Sequence, residues 1–210
     1  MPLENWGTRR WDFQGTRGFR WVWQMHSRVS HELTQARGLP RLYCSAVLPV
    51  QGGGSTHRYM TSSAACWGAF GLLNDPQQPL EPAPFNALTV DAFAVQHPGT
   101  PSNQSINSVA IHLMVLYGVL ERNFLPEQAL WLRMRPGRFS NIAKHDRFHL
   151  LTPPNFMGRL TVSDVVAEKT SLERSRLVEA WVKEVWSVWA VLHCAQVEAW
   201  FEKFVVSERF

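Results

Sequence analysis

The sequence is poor in cysteine and in charge, and it has no long apolar run. Its 210 residues include 3 Cys, and charged residues make up 18% of the chain. A small, odd number of cysteines argues against a disulfide framework and favours a reducing compartment, so we expect a cytoplasmic protein. No stretch approaches the about 20 consecutive apolar residues of a transmembrane helix. Residues 1–25 also lack the apolar segment of a secretory signal. We therefore expect no contact with a membrane.

Signature motifs of several enzyme classes are also missing. The run at Gly52–Gly54 is not followed by the Gly-Lys-Ser/Thr of a phosphate-binding loop. Neither Gly-x-Gly-x-x-Gly nor Gly-x-Ser-x-Gly occurs, so nucleotide-dependent and esterase-like chemistry have no motif to support them. What the sequence does contain is 45% hydrophobic residues, which excludes bulk disorder and fits one folded domain of ordinary size.

Helix signals dominate the chain from residue 64 onward. Apolar residues recur at three- and four-residue spacing, which is typical of amphipathic helices. Helices are predicted at 64–73, 86–97, 102–122, 126–134 and 171–204, with a short one at 161–166 and an earlier one at 21–35. On 171–204 the predicted buried side comprises Val178, Trp181, Val185, Trp189, Leu192 and Gln196. An extended segment is expected at 42–50 and a proline-rich linker at 75–84. The prediction is a mainly α, single helical-bundle-like domain over 42–210 with long irregular connectors, preceded by an Arg/Trp-rich N-terminal arm over 1–41.

The arm contains the whole excess of positive charge. Its seven Arg outnumber its three acidic residues and account for the net charge of +4. Arginine interleaved with aromatic residues can pack on another subunit, or contact phosphates and stack on bases. We expect another protein chain as the partner, with nucleic acid as the alternative. The candidate binding residues are Arg9, Arg10, Trp11, Arg17, Arg20, Trp21 and Trp23.

Three histidines lie at the ends or apolar margins of predicted helices: His97, His112 and His193. Helical bundles build metal sites from imidazoles that project inward from different helices. Asp91 and Asn86 share the helix of His97 and are suited to complete or orient such a site. The pattern predicts a divalent metal such as zinc at His97, His112, His193 and Asp91. The alternative is that each histidine is a packed side chain with one hydrogen bond.

A second candidate cluster is formed by Cys44, His57 and Cys66, which surround the glycine-rich loop. Thiolate and imidazole are good zinc ligands, but a closed structural site needs four of them. Two alternatives remain open for these residues. Cys66 at a helix start is a candidate nucleophile with a lowered pKa and His57 as its base. The other alternative is that the cysteines are free buried thiols.

The run Asn-Ala-Leu-Thr-Val-Asp-Ala-Phe-Ala-Val-Gln-His-Pro at 86–98 is the most distinctive segment of the chain. Together with Ser-Val-Ala-Ile-His-Leu at 108–113, His-Arg-Tyr-Met at 57–60, Ala-Cys-Trp at 65–67 and Trp-Ala-Val-Leu-His at 189–193, it resembles a bacterial family of uncharacterised proteins. That family is the domain of unknown function 5946, and the resemblance covers about residues 42–204. Its motif positions fall on Cys44, His57, Cys66, Asp91, His97, His112 and His193.

Two departures from the family pattern concern possible ligands. Arg41 stands where the family has the first Cys of a Cys-x-x-Cys pair, and Asn86 stands where it often has His. The resemblance therefore implies a member that kept the fold and lost a ligand. We expect a non-catalytic interaction or assembly subunit. The alternatives are a small metal-dependent helical enzyme with a His-lined site, and nucleic-acid contact through the arm.

Overall fold

The structure is a computed structural model that describes residues 56–75, 84–134 and 148–207, together with Cys44, Ala46, Leu48, Gln77 and Leu80. The arm over 1–41, the helix predicted at 21–35 and most of the extended segment at 42–50 lie outside the described residues. The binding role of the arm and the domain boundary after residue 41 therefore remain predictions.

The described residues fold into six α-helices joined by irregular segments. They are α1 (Ala64–Leu73), α2 (Thr89–Gln96), α3 (Asn103–Leu120), α4 (Pro126–Arg133), α5 (Val162–Ala167) and α6 (Ser171–Phe201). A 3-10 turn at Pro84–Leu88 precedes α2, and a π-helical turn at Glu202–Val206 extends α6. This architecture confirms the predicted mainly α class. None of the described helices combines the length and apolar character that crossing a bilayer requires.

Side-chain caps explain where the main helices begin. The Ser63 hydroxyl accepts a hydrogen bond from the Cys66 backbone N–H at 3.0 Å, which satisfies one free donor at the start of α1. Thr170 and Glu173 cap the start of α6 reciprocally. The six helices predicted between 64 and 204 are found, with ends that differ from the predicted bounds by at most three residues, and α2 is shorter than predicted. Residues 84–88 form the tighter 3-10 turn, and the α-helix begins at Thr89.

The core lies where α3 packs against α6, α2 and α4, while α1 packs against α5. Trp181 and Trp189 on α6 are fully buried, as predicted. Leu192, which was predicted on the same buried side, is 56% exposed. The reason is that the buried face of α6 rotates around the helix axis toward its C-terminal end. There Trp200 is buried instead, and the ring of Phe148 packs edge-on against it with centroids 5.1 Å apart.

A buried amide ties α2 to the rest of the core. Gln96 Nε2 donates to the carbonyls of Met157 and Leu160 at 2.9 and 2.8 Å. Its Oε1 accepts from the indole N–H of Trp181 at 3.1 Å. Because the amide is hydrogen-bonded on both sides, its burial carries no unpaired polar group. The network fixes the end of α2, and the next residue is His97.

Candidate metal centre

Two sulfurs and one imidazole meet beside the end of α2. Cys44 Sγ lies 3.9 Å from Cys66 Sγ, and Cys66 Sγ lies 3.3 Å from His97 Nε2. The three atoms all lie within 4.8 Å of one another. Cys66 and His97 are almost completely buried. Among the described residues, these three ligand atoms lie close enough together to hold a metal ion.

The fold brings these residues together from three segments. Cys66 lies in the first turn of α1, and His97 ends α2. Gly99 allows the segment after α2 to approach the segment before α1. Its φ is +79°, and a Cβ there would lie 2.0 Å from the carbonyl oxygen of Tyr59. Only glycine tolerates that backbone conformation and that contact.

One hydrogen bond fixes which nitrogen of His97 faces the sulfurs. Nδ1 lies 2.8 Å from the carbonyl oxygen of Phe93. A carbonyl oxygen only accepts hydrogen bonds, so Nδ1 carries the hydrogen and Nε2 is left with its lone pair. This is the arrangement that orients metal-binding histidines in proteins. His97 therefore presents a ligand nitrogen to the two sulfurs.

The two thiols are hydrogen-bonded to each other. The hydrogen bond from Cys66 lowers the pKa of Cys44, and His97 lowers it further, while burial acts in the opposite direction. The same hydrogen bond, together with burial, raises the pKa of Cys66. This direction favours the thiolate form of Cys44, which is the form that binds metals.

The spacing of the cluster matches a zinc ion. Zinc bonds of about 2.3 Å to sulfur and about 2.0–2.1 Å to nitrogen, at tetrahedral angles, place two sulfurs about 3.8 Å apart and a sulfur and a nitrogen about 3.5 Å apart. The observed separations are 3.9 and 3.3 Å. These two separations therefore match zinc to within a few tenths of an ångström, and Cys44 Sγ lies within 4.8 Å of His97 Nε2.

Of the predicted cluster of Cys44, His57 and Cys66, the structure brings the two cysteines together but not the histidine. His97 takes the place that was assigned to His57. The His57 ring instead packs edge-on against Trp67, with centroids 4.8 Å apart. Burial lowers the pKa of His57, and its Nδ1 has no hydrogen-bond partner among the described residues.

The site predicted from His97, His112, His193 and Asp91 is divided among separate contacts. His112 Nδ1 donates to Asp91 Oδ1 at 2.7 Å. The other oxygen of this fully buried carboxylate accepts from Arg133 Nη1 at 2.6 Å. Asp91 on α2 therefore links this helix to α3 through His112 and to α4 through Arg133. It does not form a site with His97. Arg133 was not among the predicted site residues.

The remaining members of that prediction also lie elsewhere. On α6, the His193 Nε2–H donates to the carbonyl of Thr152 at 2.8 Å, which matches the alternative of a packed histidine with one hydrogen bond. The Asn86 amide donates to the Ser175 hydroxyl at 3.0 Å. Neither residue belongs to the three-ligand cluster.

The interpretation of Cys66 as an activated nucleophile does not agree with its surroundings. Cys66 is 1% exposed, its pKa is raised, and the imidazole beside it is His97 rather than His57. A nucleophilic cysteine needs access to its substrate and a lowered pKa. Cys66 is instead buried in contact with Cys44 and His97.

Fold and site together define a mainly helical domain with a buried Cys2His cluster. The chain belongs to the family of unknown function DUF5946, whose family model matches residues 40–190. This match confirms the resemblance seen in the motifs; it includes all three clustered residues and ends before His193. Neither the curated proteins nor the solved structures contain a match.

Proposed function

We propose that this chain is a zinc-binding helical domain in which Cys44, Cys66 and His97 hold the ion. The observation that carries the proposal is the pair of separations within the cluster, 3.9 and 3.3 Å, which tetrahedral zinc requires almost unchanged. The hydrogen bond from His97 to Phe93 supports it, because that bond leaves Nε2 free to ligate.

We infer a structural rather than a catalytic ion. Three protein ligands and an open fourth position are typical of catalytic zinc, so a structural ion requires a fourth ligand in addition to Cys44, Cys66 and His97. The burial of Cys66 and His97 favours the structural role, since a catalytic ion needs a path for its substrate. Zinc here would fasten the segment at Cys44 to α1 and α2. Binding energy of this kind adds directly to the stability of the fold.

Metal analysis tests the ligand assignment. Purified full-length protein is reconstituted with zinc, dialysed and measured by inductively coupled plasma mass spectrometry. Near-stoichiometric zinc is expected for the wild type and is expected to be lost in Cys66→Ser and His97→Gln. Matched controls are Cys194→Ser and His193→Gln, which remove the same groups from α6 outside the cluster. Equal zinc in all four variants would refute the assignment.

Thermal unfolding tests the structural role. Free zinc at 100 times its dissociation constant stabilises a folded protein by about 2.7 kcal/mol. For a chain of this size, that corresponds to a rise in Tm of about 5–11 °C. Chelation is expected to lower Tm by this amount in the wild type and to have no effect in Cys66→Ser. A Tm that does not respond to chelation, while zinc is released, would contradict a structural ion.

The role as an interaction or assembly subunit is a second proposal. It rests on the arm over 1–41, which lies outside the described residues. On the described surface, Val191 and Leu192 stand next to each other on α6 with 84% and 56% exposure, and exposed apolar pairs of this kind support contact with another chain. Mass analysis in solution tests it: a strict monomer that binds no partner would contradict it.

A further inference from the structure

A separate cavity of about 590 Å³ lies between α1, α2, α3 and α4. This volume is typical of small-molecule sites, which range over about 300–1,000 Å³. Its lining does not include the three residues of the metal cluster. Phe93 lies between the cavity and the metal cluster. It lines the cavity, and its ring also packs on the ring of His97, with centroids 4.2 Å apart.

One wall of the cavity is aromatic. The rings of Trp67 and Phe70 on α1 are stacked with an interplanar angle of 25° and centroids 5.6 Å apart. Phe70 in turn stacks on Phe93 at 26° and 4.3 Å. All three side chains line the cavity. Such a wall offers an apolar aromatic surface against which a planar ring can pack.

The opposite wall is polar and belongs to the first half of α3. Asn103, Gln104, Asn107 and Ser108 contribute amide and hydroxyl groups to the lining. These groups donate and accept hydrogen bonds and are able to orient a ligand. A molecule held between the two walls therefore needs one flat apolar part and one polar part.

The polar groups that line the cavity indicate whether the polar part of the ligand is an anion or a cation. Among the described residues that line the cavity, Arg133 carries the one full charge and no carboxylate is present. Its Nη1 donates to Asp91 and to the carbonyl of Ala87, which leaves Nε and Nη2 as further donors. Asp91 itself lies behind Arg133 and His112 and is fully buried. Because Asp91 offsets the charge of Arg133, it is the remaining N–H donors of the guanidinium, rather than a net positive charge, that suit an anion.

We propose that this cavity binds a small molecule consisting of a planar aromatic ring and an anionic group, either a carboxylate or a phosphate. The ring stacks on Trp67 and Phe70, and the anion accepts hydrogen bonds from Arg133 beside His112. Asp91 holds both of these side chains in place through its two oxygens. The inference does not depend on the metal, because no residue is shared between the two sites.

Isothermal titration calorimetry on the full-length, zinc-reconstituted protein tests the ligand class. Two matched pairs of probes separate charge from shape: indole-3-acetate against indole-3-acetamide, and adenosine monophosphate against adenosine. In at least one pair, the anion is expected to bind about tenfold or more tightly than its neutral counterpart, because hydrogen bonds to charged groups are the stronger ones. The pair that shows the difference distinguishes a carboxylate from a phosphate ligand.

A substitution within the lining tests the location. Asn107→Asp places a carboxylate in the polar wall without changing the size of the side chain. This substitution is expected to weaken binding of the anion about tenfold and to leave the affinity for the neutral probe unchanged. The control is Asn155→Asp, the same change at an exposed position outside the lining. Arg133→Lys is a second variant, which keeps the charge beside Asp91 but loses the planar set of donors.

Three outcomes would overturn the proposal. The first is that neither anion binds at millimolar concentration to folded protein. The second is that the anion and the neutral probe bind equally in both pairs. The third is that Asn107→Asp and Asn155→Asp bind the anion equally well. Circular dichroism confirms that each variant is folded before it is titrated.

Discussion

The buried carboxylate of Asp91 should be among the most sensitive positions in the domain. Its side chain is fully buried and accepts from His112 at 2.7 Å and from Arg133 at 2.6 Å. Asp91→Ala removes the partner of both groups and leaves a guanidinium that is only 19% exposed without its counter-charge. Breaking a buried ion pair in this way costs about 3–5 kcal/mol. With about 2–4 °C per kcal/mol for a chain of this length, Tm should fall by about 6–20 °C.

A surface pair of the same geometry supplies the control. Lys183 Nζ and Glu179 Oε1 are also 2.6 Å apart, but both side chains are about half exposed. An exposed pair at this spacing on a helix contributes about 0.3–0.5 kcal/mol, so Glu179→Ala should lower Tm by no more than about 2 °C. Both variants are compared with the wild type by differential scanning calorimetry. Similar shifts for the two would refute the argument that burial determines the magnitude.

Four further substitutions test the packing around the metal cluster. Gly99→Ala should destabilise the protein by more than about 1 kcal/mol, because φ at residue 99 is positive and the new Cβ meets the carbonyl of Tyr59. Gly68→Ala on α1 should instead stabilise the protein by about 0.5–1 kcal/mol, because a Cβ at residue 68 has open space around it. Gln96→Leu leaves three buried hydrogen-bonding groups without a partner, at about 1–3 kcal/mol each. Ser63→Ala should cost about 1 kcal/mol through the lost cap of α1. Urea unfolding measures all four variants.

The two glycines respond in opposite directions if the backbone argument holds, so equal effects at Gly99 and Gly68 would contradict it. A Gln96→Leu protein as stable as the wild type would show that the buried amide contributes little. For Ser63→Ala, an unchanged midpoint would mean that the start of α1 does not depend on its cap.

Helix positions were largely predictable from the sequence, because their signals are local. Ser63 before an apolar run marks the start of α1, and Thr170 with Glu173 marks the start of α6. The rotation of the buried face of α6 was not predictable. It depends on side chains such as Phe148, which reach the helix from a distant segment.

The candidate site was predictable in its residue types but not in its grouping. Cys44, Cys66 and His97 are separated by 22 and 31 residues, so no short spacing motif contains them. Only the contact between the end of α2 and the start of α1 decides that His97, not His57, faces the sulfurs. The sequence also contained a signal for the contact between Asp91 and Arg133. Asp91 is a carboxylate within an apolar run, and a buried charge requires a partner of opposite charge.

X-ray absorption at the zinc edge of the reconstituted full-length protein tests the central proposal most directly. We expect two sulfurs at about 2.3 Å and one histidine nitrogen at about 2.0–2.1 Å from the ion, and the same set of neighbours in the control Cys194→Ser. A spectrum with oxygen and nitrogen neighbours alone, or the loss of a sulfur neighbour in Cys194→Ser, would contradict the assignment of zinc to Cys44, Cys66 and His97.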